Sequence, residues 1–224
     1  MGFKKEYRYE RKIFIENYSR ANIECYVKKH PLIFSEIFYQ RNINNIYFDT
    51  SDFLCYRENI RGNSSRFKVR LRWYGNSFGI VKPNLEVKSK LGYLGKKQKA
   101  TCARFDFSKG ISLNNIPLPF DSIRDSNLKN NVFVPALFNS YLRSYYLSSD
   151  KKYRITIDSD MKFYKADTFS NKFLNKTYDL TSTIIEIKYK SKDDKNIDSV
   201  TNYFPFRISK SSKYVKGISA IYGI

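Results

Sequence analysis

From Arg66 to Tyr74 the chain alternates basic and apolar residues, and the same two-residue period recurs along much of its length. Successive side chains of a β-strand point to opposite faces. Arg66, Lys68, Arg70 and Arg72 therefore project one way, and Phe67, Val69, Leu71 and Trp73 the other. Arg8, Glu10 and Lys12 likewise oppose Tyr9, Arg11 and Ile13, and Glu86, Lys88 and Lys90 oppose Leu85 and Val87. Later, Arg154, Thr156 and Asp158 oppose Tyr153, Ile155 and Ile157, while Glu186, Lys188 and Lys190 oppose Ile185, Ile187 and Tyr189. Tyr141 shares a face with Arg143, and Lys97 and Lys99 lead in line to Thr101.

Like charges about 7 Å apart repel by about 2 kcal/mol per pair at an effective dielectric near 20, a cost that salt largely removes at an open surface. Two arrangements accommodate the pattern. One is a half-buried sheet with its polar face in water. The other is a sheet closed into a barrel, charges inward and apolar face against outer helices. Repetition over several segments favours the barrel, whose enclosed charge must be compensated by something strongly anionic.

The pattern predicts a strand over 7–15, then a helix through Lys29 capped by Ser19, with Ile23, Tyr26 and Val27 on one stripe. Strands over 33–40 and 44–50 and a short helix ending before Gly62 follow, then the basic strand 66–74 and a turn from Asn76 to Gly79. Strands 84–91 and 97–107 meet through Gly92 to Gly95; Pro117 and Pro119 make 108–131 a loop or short helix. Strands 136–147 and 152–159 flank a hairpin turn, 160–182 is irregular with one further short strand, and strand 183–190 precedes the charged turn Lys192 to Lys195. Helices over 196–203 and 211–222 close the chain. Without repeat or linker, a single domain over 1–224 is expected.

Composition narrows the function. Lys and Arg number 41 against 21 Asp and Glu, a formal charge of +20, which calls for a polyanionic partner. With 42% hydrophobic and 17% aromatic residues the chain builds a core and is no disordered basic tail. No apolar run approaches the ~18 residues of a membrane span, and the basic start lacks a signal-peptide core, so a cytoplasmic location is expected. Cys25, Cys55 and Cys102 show no paired spacing, which argues against a disulfide framework or zinc site. His30, the single histidine, stands before Pro31 at a helix exit and suits capping or the surface better than catalysis. The glycines read as hairpin punctuation, not a phosphate loop, and any metal falls to carboxylates, which favours Mg²⁺ or Mn²⁺.

In order along the chain, Tyr9-Glu10-Arg11-Lys12, Ile46-Tyr47-Phe48-Asp49, Arg70-Leu71-Arg72-Trp73-Tyr74-Gly75, Glu86-Val87-Lys88, Tyr141-Leu142-Arg143, Arg154-Ile155-Thr156-Ile157-Asp158, Glu186-Ile187-Lys188 and Ser212-Lys213-Tyr214 stand out. This ordered set resembles the VTC (vacuolar transporter chaperone) domain of the triphosphate tunnel, or CYTH-like, superfamily. The resemblance implies an α+β fold: a closed antiparallel eight-stranded β-barrel forming a tunnel, with helices packed outside. It implies a polyphosphate polymerase moving the γ-phosphate of ATP onto a growing chain. Other branches hydrolyse triphosphates or carry out adenylate cyclase chemistry.

By the same resemblance, Lys12, Arg70, Arg72, Lys88, Arg143 and Arg154 match the cations that grip triphosphate and polymer. Ser212 and Lys213 match a phosphate contact at the final helix. Arg8, Lys68, Lys97, Lys99, Tyr141 and Lys188 join the candidate substrate-binding set. Glu186 matches the metal-holding carboxylate, with Glu10 and Glu86 as further candidates and Asp158 a weaker one. One departure bears on mechanism: the CYTH signature Glu-x-Glu-x-Lys stands here as Arg8-Tyr9-Glu10-Arg11-Lys12. Loss of the first glutamate weakens two-metal hydrolysis and agrees better with the VTC branch.

Read without the resemblance, the three glutamates would simply pair with basic neighbours across strands. Three functions stay open: a polymerase using Mn²⁺ or Mg²⁺, a tunnel triphosphatase, and a non-enzymatic binder of polyphosphate or nucleic acid. Nucleic acid is the least favoured partner, because alternation turns much of the charge inward.

Overall fold

A computed structural model describes residues 8–91, 94–108, 112–113, 116, 118–123 and 130–224. The expected roles of Tyr7, Gly92 and Pro117, and of the Arg8 side chain, lie outside the described residues.

Strands β1 (Arg8–Glu16), β2 (Ser35–Asp49), β3 (Ser65–Tyr74), β5 (Asn84–Leu91), β6 (Leu94–Thr101), β8 (Val134–Leu147), β9 (Arg154–Lys165) and β11 (Ser182–Lys190) lie in one sheet, in the order β1-β11-β9-β8-β2-β3-β5-β6. Strand β10 (Lys176–Asp179) pairs with β9, and β4 (Gly79–Val81) with β7 (Phe105–Phe107) as a separate two-stranded sheet. The helices are α1 (Arg20–Lys28), α2 (Leu54–Arg61), α3 (Ile197–Thr201) and α4 (Lys213–Tyr222).

The eight strands of the main path match the expected number, but the barrel is not closed: the path ends at β1 and β6, and among the described residues no ladder joins them. Both ends are blunted. Beside β1 runs the segment around Ile208, where the Ser209 amide donates to Lys12 O at 2.8 Å and Ser209 Oγ accepts from the Phe14 amide at 2.9 Å. β6 carries Lys96, Lys97 and Lys99, and lysines on an edge strand disfavour further pairing.

Two compact units share these elements. The first comprises residues 1–41, 141–161 and 179–211. Its core packs Ile13, Ile15, Ile155, Ile157, Ile185 and Ile187 against Ile23 and Val27 of α1 and Val200 of α3. Ser19 caps α1 as expected, its side chain accepting from the Asn22 amide. His30 is buried: Nδ1 accepts from the Leu32 amide at 3.0 Å, so Nε2 carries the proton and donates to Val200 O at 3.1 Å. Its role is structural.

The second unit comprises 42–140, 162–178 and 212–224. Phe67, Val69, Leu71 and Trp73 of β3 are all buried while the intervening cations are half-buried, as alternation requires. Trp73 and Phe107 pack with Phe138, and Phe107 with Phe78 and Phe173. Asp49, fully buried, takes the capping role for α2 that Phe53, in the left-handed region, cannot: Oδ1 accepts from the Cys55 amide at 2.8 Å and Oδ2 from Tyr56 at 3.0 Å. The Tyr214 hydroxyl also donates to Oδ2, tying α4 to the same carboxylate.

Candidate functional site

Pairing of β3 with β5, and β5 with β6, places Arg66 opposite Lys90, Lys68 opposite Lys88, Arg70 opposite Glu86, Glu86 opposite Lys99 and Lys88 opposite Lys97. One face of these three strands therefore holds eight cations (Arg66, Lys68, Arg70, Arg72, Lys88, Lys90, Lys97 and Lys99) and one carboxylate, Glu86. Three of the cations converge on that carboxylate. Arg70 Nε and Nη2 donate to Oε2 at 3.0 and 2.7 Å, Lys97 Nζ donates to Oε1 at 2.8 Å, and Arg72 Nη1 stands 3.8 Å from Oε2. Burial to 5% exposure would raise the Glu86 pKa, but Arg70, Arg72 and Lys97 outweigh it and bring it down to about 2. For Lys97, burial with the repulsion of Arg70 and Arg72 outweighs Glu86 and lowers the pKa.

Arg70 is also held from β2, where its Nη1 donates to the Tyr47 hydroxyl at 3.2 Å. Arg72 Nε donates to Asn45 Oδ1 at 2.8 Å, and Asn45 Nδ2 in turn to Asn139 Oδ1 at 2.8 Å. Lys68 Nζ donates to Ser212 Oγ at 2.8 Å, and the same oxygen accepts from the Val215 amide as the N-cap of α4. Lys213 begins α4 and is buried. Lys88 and Lys99 are exposed.

In the other unit, β1, β11, β9 and β8 assemble a mixed cluster. Lys12 lies opposite Glu186, Glu10 opposite Lys188, Glu186 also opposite Thr156, and Lys188 opposite Arg154. Lys12 Nζ stands 3.2 Å from Glu10 Oε1 and 3.3 Å from Glu186 Oε1, and donates to Ser211 O at 3.1 Å. Lys188 Nζ lies 2.7 Å from Glu186 Oε2 and 3.8 Å from Glu10 Oε2. Burial would lower the Lys12 pKa, but Glu186 and Glu10 overcome it and raise it. Arg143 forks onto Asp158, Nε to Oδ1 and Nη2 to Oδ2, both at 2.5 Å, and reaches Glu186 Oε2 at 3.4 Å. Its guanidinium stands 5.4 Å over the buried Tyr141 ring. Burial opposes its charge, yet Asp158, Tyr141 and Glu186 together hold its pKa well above the ordinary arginine value. Arg154 is exposed.

Glu10 and Glu186 fit a small hard cation by donor chemistry: two adjacent carboxylates, whose bridging positive charges are now the ammonium groups of Lys12 and Lys188. Mg²⁺ takes one or two carboxylates and completes its shell with water and phosphate oxygens. Among the described residues no three of His, Cys, Asp and Glu cluster, so the protein's share would be limited to this pair. Glu86 meets Arg70, Arg72 and Lys97 just as Glu186 meets Lys12, Lys188 and Arg143, and only Glu186 has a second carboxylate, Glu10, sharing its lysines.

Each unit thus gathers its own part of the expected set. Lys68, Arg70, Arg72, Glu86, Lys88, Lys97, Lys99, Ser212 and Lys213 lie in one, and Glu10, Lys12, Tyr141, Arg143, Arg154, Glu186 and Lys188 in the other. Asn45, Tyr47 and Asn139 were not anticipated as site residues. Tyr47 stands within a quoted family segment, whereas residues 43–49 are buried on both faces, so alternation could not separate the Asn45 side from the core side.

The chain is similar to a solved structure described as a candidate adenylate cyclase from Vibrio parahaemolyticus, with a TM-score of 0.50 at 13% identity over 94% of this chain and 98% of that one. A second structure, a candidate adenylyl cyclase from Hippeastrum described as having a dominant triphosphatase activity, gives a TM-score of 0.47 at 13% identity, covering 94% and 96%. No curated protein sequence matches the chain. The likeness to the Vibrio parahaemolyticus structure shows a shared fold. A sequence profile of the VTC domain matches residues 7–222, and the chain belongs to that family. Among the described residues no helix is long and apolar enough to cross a membrane.

Proposed function

We propose that this protein is a polyphosphate polymerase that transfers the γ-phosphate of ATP to a growing phosphate chain. The observation that carries the reading is the β3–β5–β6 face, eight cations against one carboxylate, a surface suited to a densely anionic ligand. Membership of the VTC family supports the choice of polymerase over other phosphoryl chemistry.

In this reading Arg70 and Arg72 offer guanidinium forks to non-bridging phosphate oxygens, while Lys68, Lys88, Lys97 and Lys99 act as point charges along the polymer, with Ser212 and Lys213 at the start of α4. In the other unit, Lys12, Arg143, Arg154 and Lys188 offer further positive charge to phosphate oxygens, and Tyr141 packs beneath Arg143. Glu186 and Glu10 would hold Mg²⁺ or Mn²⁺, which supplies further neutralisation of the triphosphate oxygens. An oxygen of the acceptor's terminal phosphate attacks the γ-phosphorus, a new P–O–P linkage forms, and the β–γ bridging bond breaks to release ADP. Such a loose transition state needs alignment and positive charge more than a covalent nucleophile, which these residues supply.

The test incubates purified protein with ATP and Mn²⁺ or Mg²⁺ and resolves products on a polyphosphate-stained gel. A metal-dependent ladder with stoichiometric ADP is expected. Free phosphate without polymer would replace the polymerase with a triphosphatase. Neither product would leave a binding protein.

A further inference from the structure

Arg72 is not held by carboxylates alone. A guanidinium only donates hydrogen bonds, so the Asn45 atom that Arg72 Nε meets at 2.8 Å must be the amide oxygen. The Asn45 amide nitrogen then faces Asn139, 2.8 Å from an atom that must accept, which fixes the Asn139 oxygen as well. The direction of the whole relay follows from one arginine. Both asparagines have 0% exposure, and the relay ends on Asn139 Nδ2, a buried donor with no acceptor among the described residues. An unsatisfied buried donor costs about 1–3 kcal/mol. A fold selected for stability alone would put an apolar side chain or an acceptor at such a position.

We infer that Asn45 and Asn139 are positioning residues for Arg72, fixing its guanidinium through a neutral relay that adds no negative charge beyond the Glu86 carboxylate, which Arg72 shares with Arg70 and Lys97. A carboxylate at position 45 would hold Nε equally well and would also accept from Asn139 Nδ2 after a simple amide rotation. It would, however, cancel the charge that the anion needs. The amide is the one group of this shape that orients without neutralising. This inference rests on the phosphate-binding reading above.

The experiment measures binding of inorganic tripolyphosphate by calorimetry, with thermal unfolding in parallel, on the full chain. N45D is expected to bind at least tenfold more weakly than wild type while its melting temperature is unchanged or raised, because the new carboxylate pairs with Arg72 and accepts from the rotated Asn139 amide. A defect in folding alone would move both readouts downward together. N45A is expected to weaken binding at least fivefold in the wild-type background and less than twofold where Arg72 is already alanine, since the side chain acts only through Arg72. Equal losses from N45A in both backgrounds, or wild-type affinity in N45D, would overturn the inference. If N45A does not fold, N45D carries the test. Absence of tripolyphosphate binding by wild-type protein would instead remove the phosphate reading itself, whereas weak binding by R72A with intact binding by N45D removes only the relay.

Discussion

Replacing Glu86 with glutamine separates two readings of that residue. Its carboxylate gathers Arg70 at 2.7 Å, Lys97 at 2.8 Å and Arg72 at 3.8 Å at only 5% exposure. Moving a carboxyl from its ordinary 4.5 to about 2 corresponds to about 3 kcal/mol of native-state stabilisation. Because the folded value lies below the unfolded one, this contribution is complete above about pH 4.5 and is lost as pH falls toward 2. Glu86→Gln should therefore destabilise the ligand-free protein by about 2–3 kcal/mol at pH 7, and the gap to wild type should close near pH 2.

Tripolyphosphate gives the second readout. Glu86 competes with any bound anion for three cations, so its removal should tighten tripolyphosphate binding and let the ligand restore the lost stability. Urea unfolding at pH 7 and pH 2.5, with and without tripolyphosphate, measures both. A variant as stable as wild type at pH 7 would refute the counter-ion argument. Weaker tripolyphosphate binding that depends on added Mg²⁺ would return Glu86 to the metal-ligand role expected from the family resemblance.

Glu186→Gln should abolish metal-stimulated turnover and, because the buried carboxylate also meets Lys12, Lys188 and Arg143, should lower the melting temperature as Glu86→Gln does; unchanged turnover in the folded variant would take Glu186 off the list of metal ligands. Asp158→Ala should cost about 3 kcal/mol in a denaturant titration, because it strands the buried Arg143 with only the 3.4 Å contact to Glu186. Burial lowers the His30 pKa against a smaller opposing effect of Val200 O, so His30 contributes stability above its ordinary 6.5 that declines as pH falls below that value; urea midpoints between pH 7.5 and 5.5 should show this slope, and His30→Gln should flatten it. Gly217→Ala on α4 would set a methyl group 2.5 Å from Leu137 Cδ2 and 2.6 Å from Phe163 Cδ1, and should destabilise by about 1–3 kcal/mol despite alanine's helix propensity; a raised melting temperature would contradict that packing.

Legibility in the sequence followed burial. In β3 one face meets the core and the other does not, so the period of two was written plainly and the cationic face could be assigned residue by residue. Where both faces are buried, the signal fails. Residues 43–49 and most of β8 are covered on both sides, which hid Asn45, Asp49 and Asn139 among ordinary polar residues. The stretch Arg41-Asn42-Ile43 reads as a break between the strands expected over 33–40 and 44–50, yet β2 runs through it as fifteen residues. The strand expected over 97–107 divides at residues 102–104, after which Phe105–Phe107 joins β4 in the second sheet. β4 starts at Gly79, which the sequence assigns to the end of the turn from Asn76; Gly75 and Gly79 hold positive φ angles of 90° and 100°.

The open strand path has a different origin. Alternation reports which face of a strand is buried and carries no information about which edges meet, since edge pairing depends on the backbone partner. Ser209 and Ile208 take the β1 edge through main-chain and hydroxyl contacts that have no period and no characteristic residue type. The cationic face needs no closed barrel to form, because the registers of β3 with β5 and of β5 with β6 already set its charges side by side. Anion binding by this face should therefore survive substitutions in the 207–211 segment that loosen β1, whereas reversing one register by a single residue would turn Arg70 and Arg72 into the aromatic core. The chemistry is anchored to local strand pairing, and that is why it could be read from sequence while the closure could not.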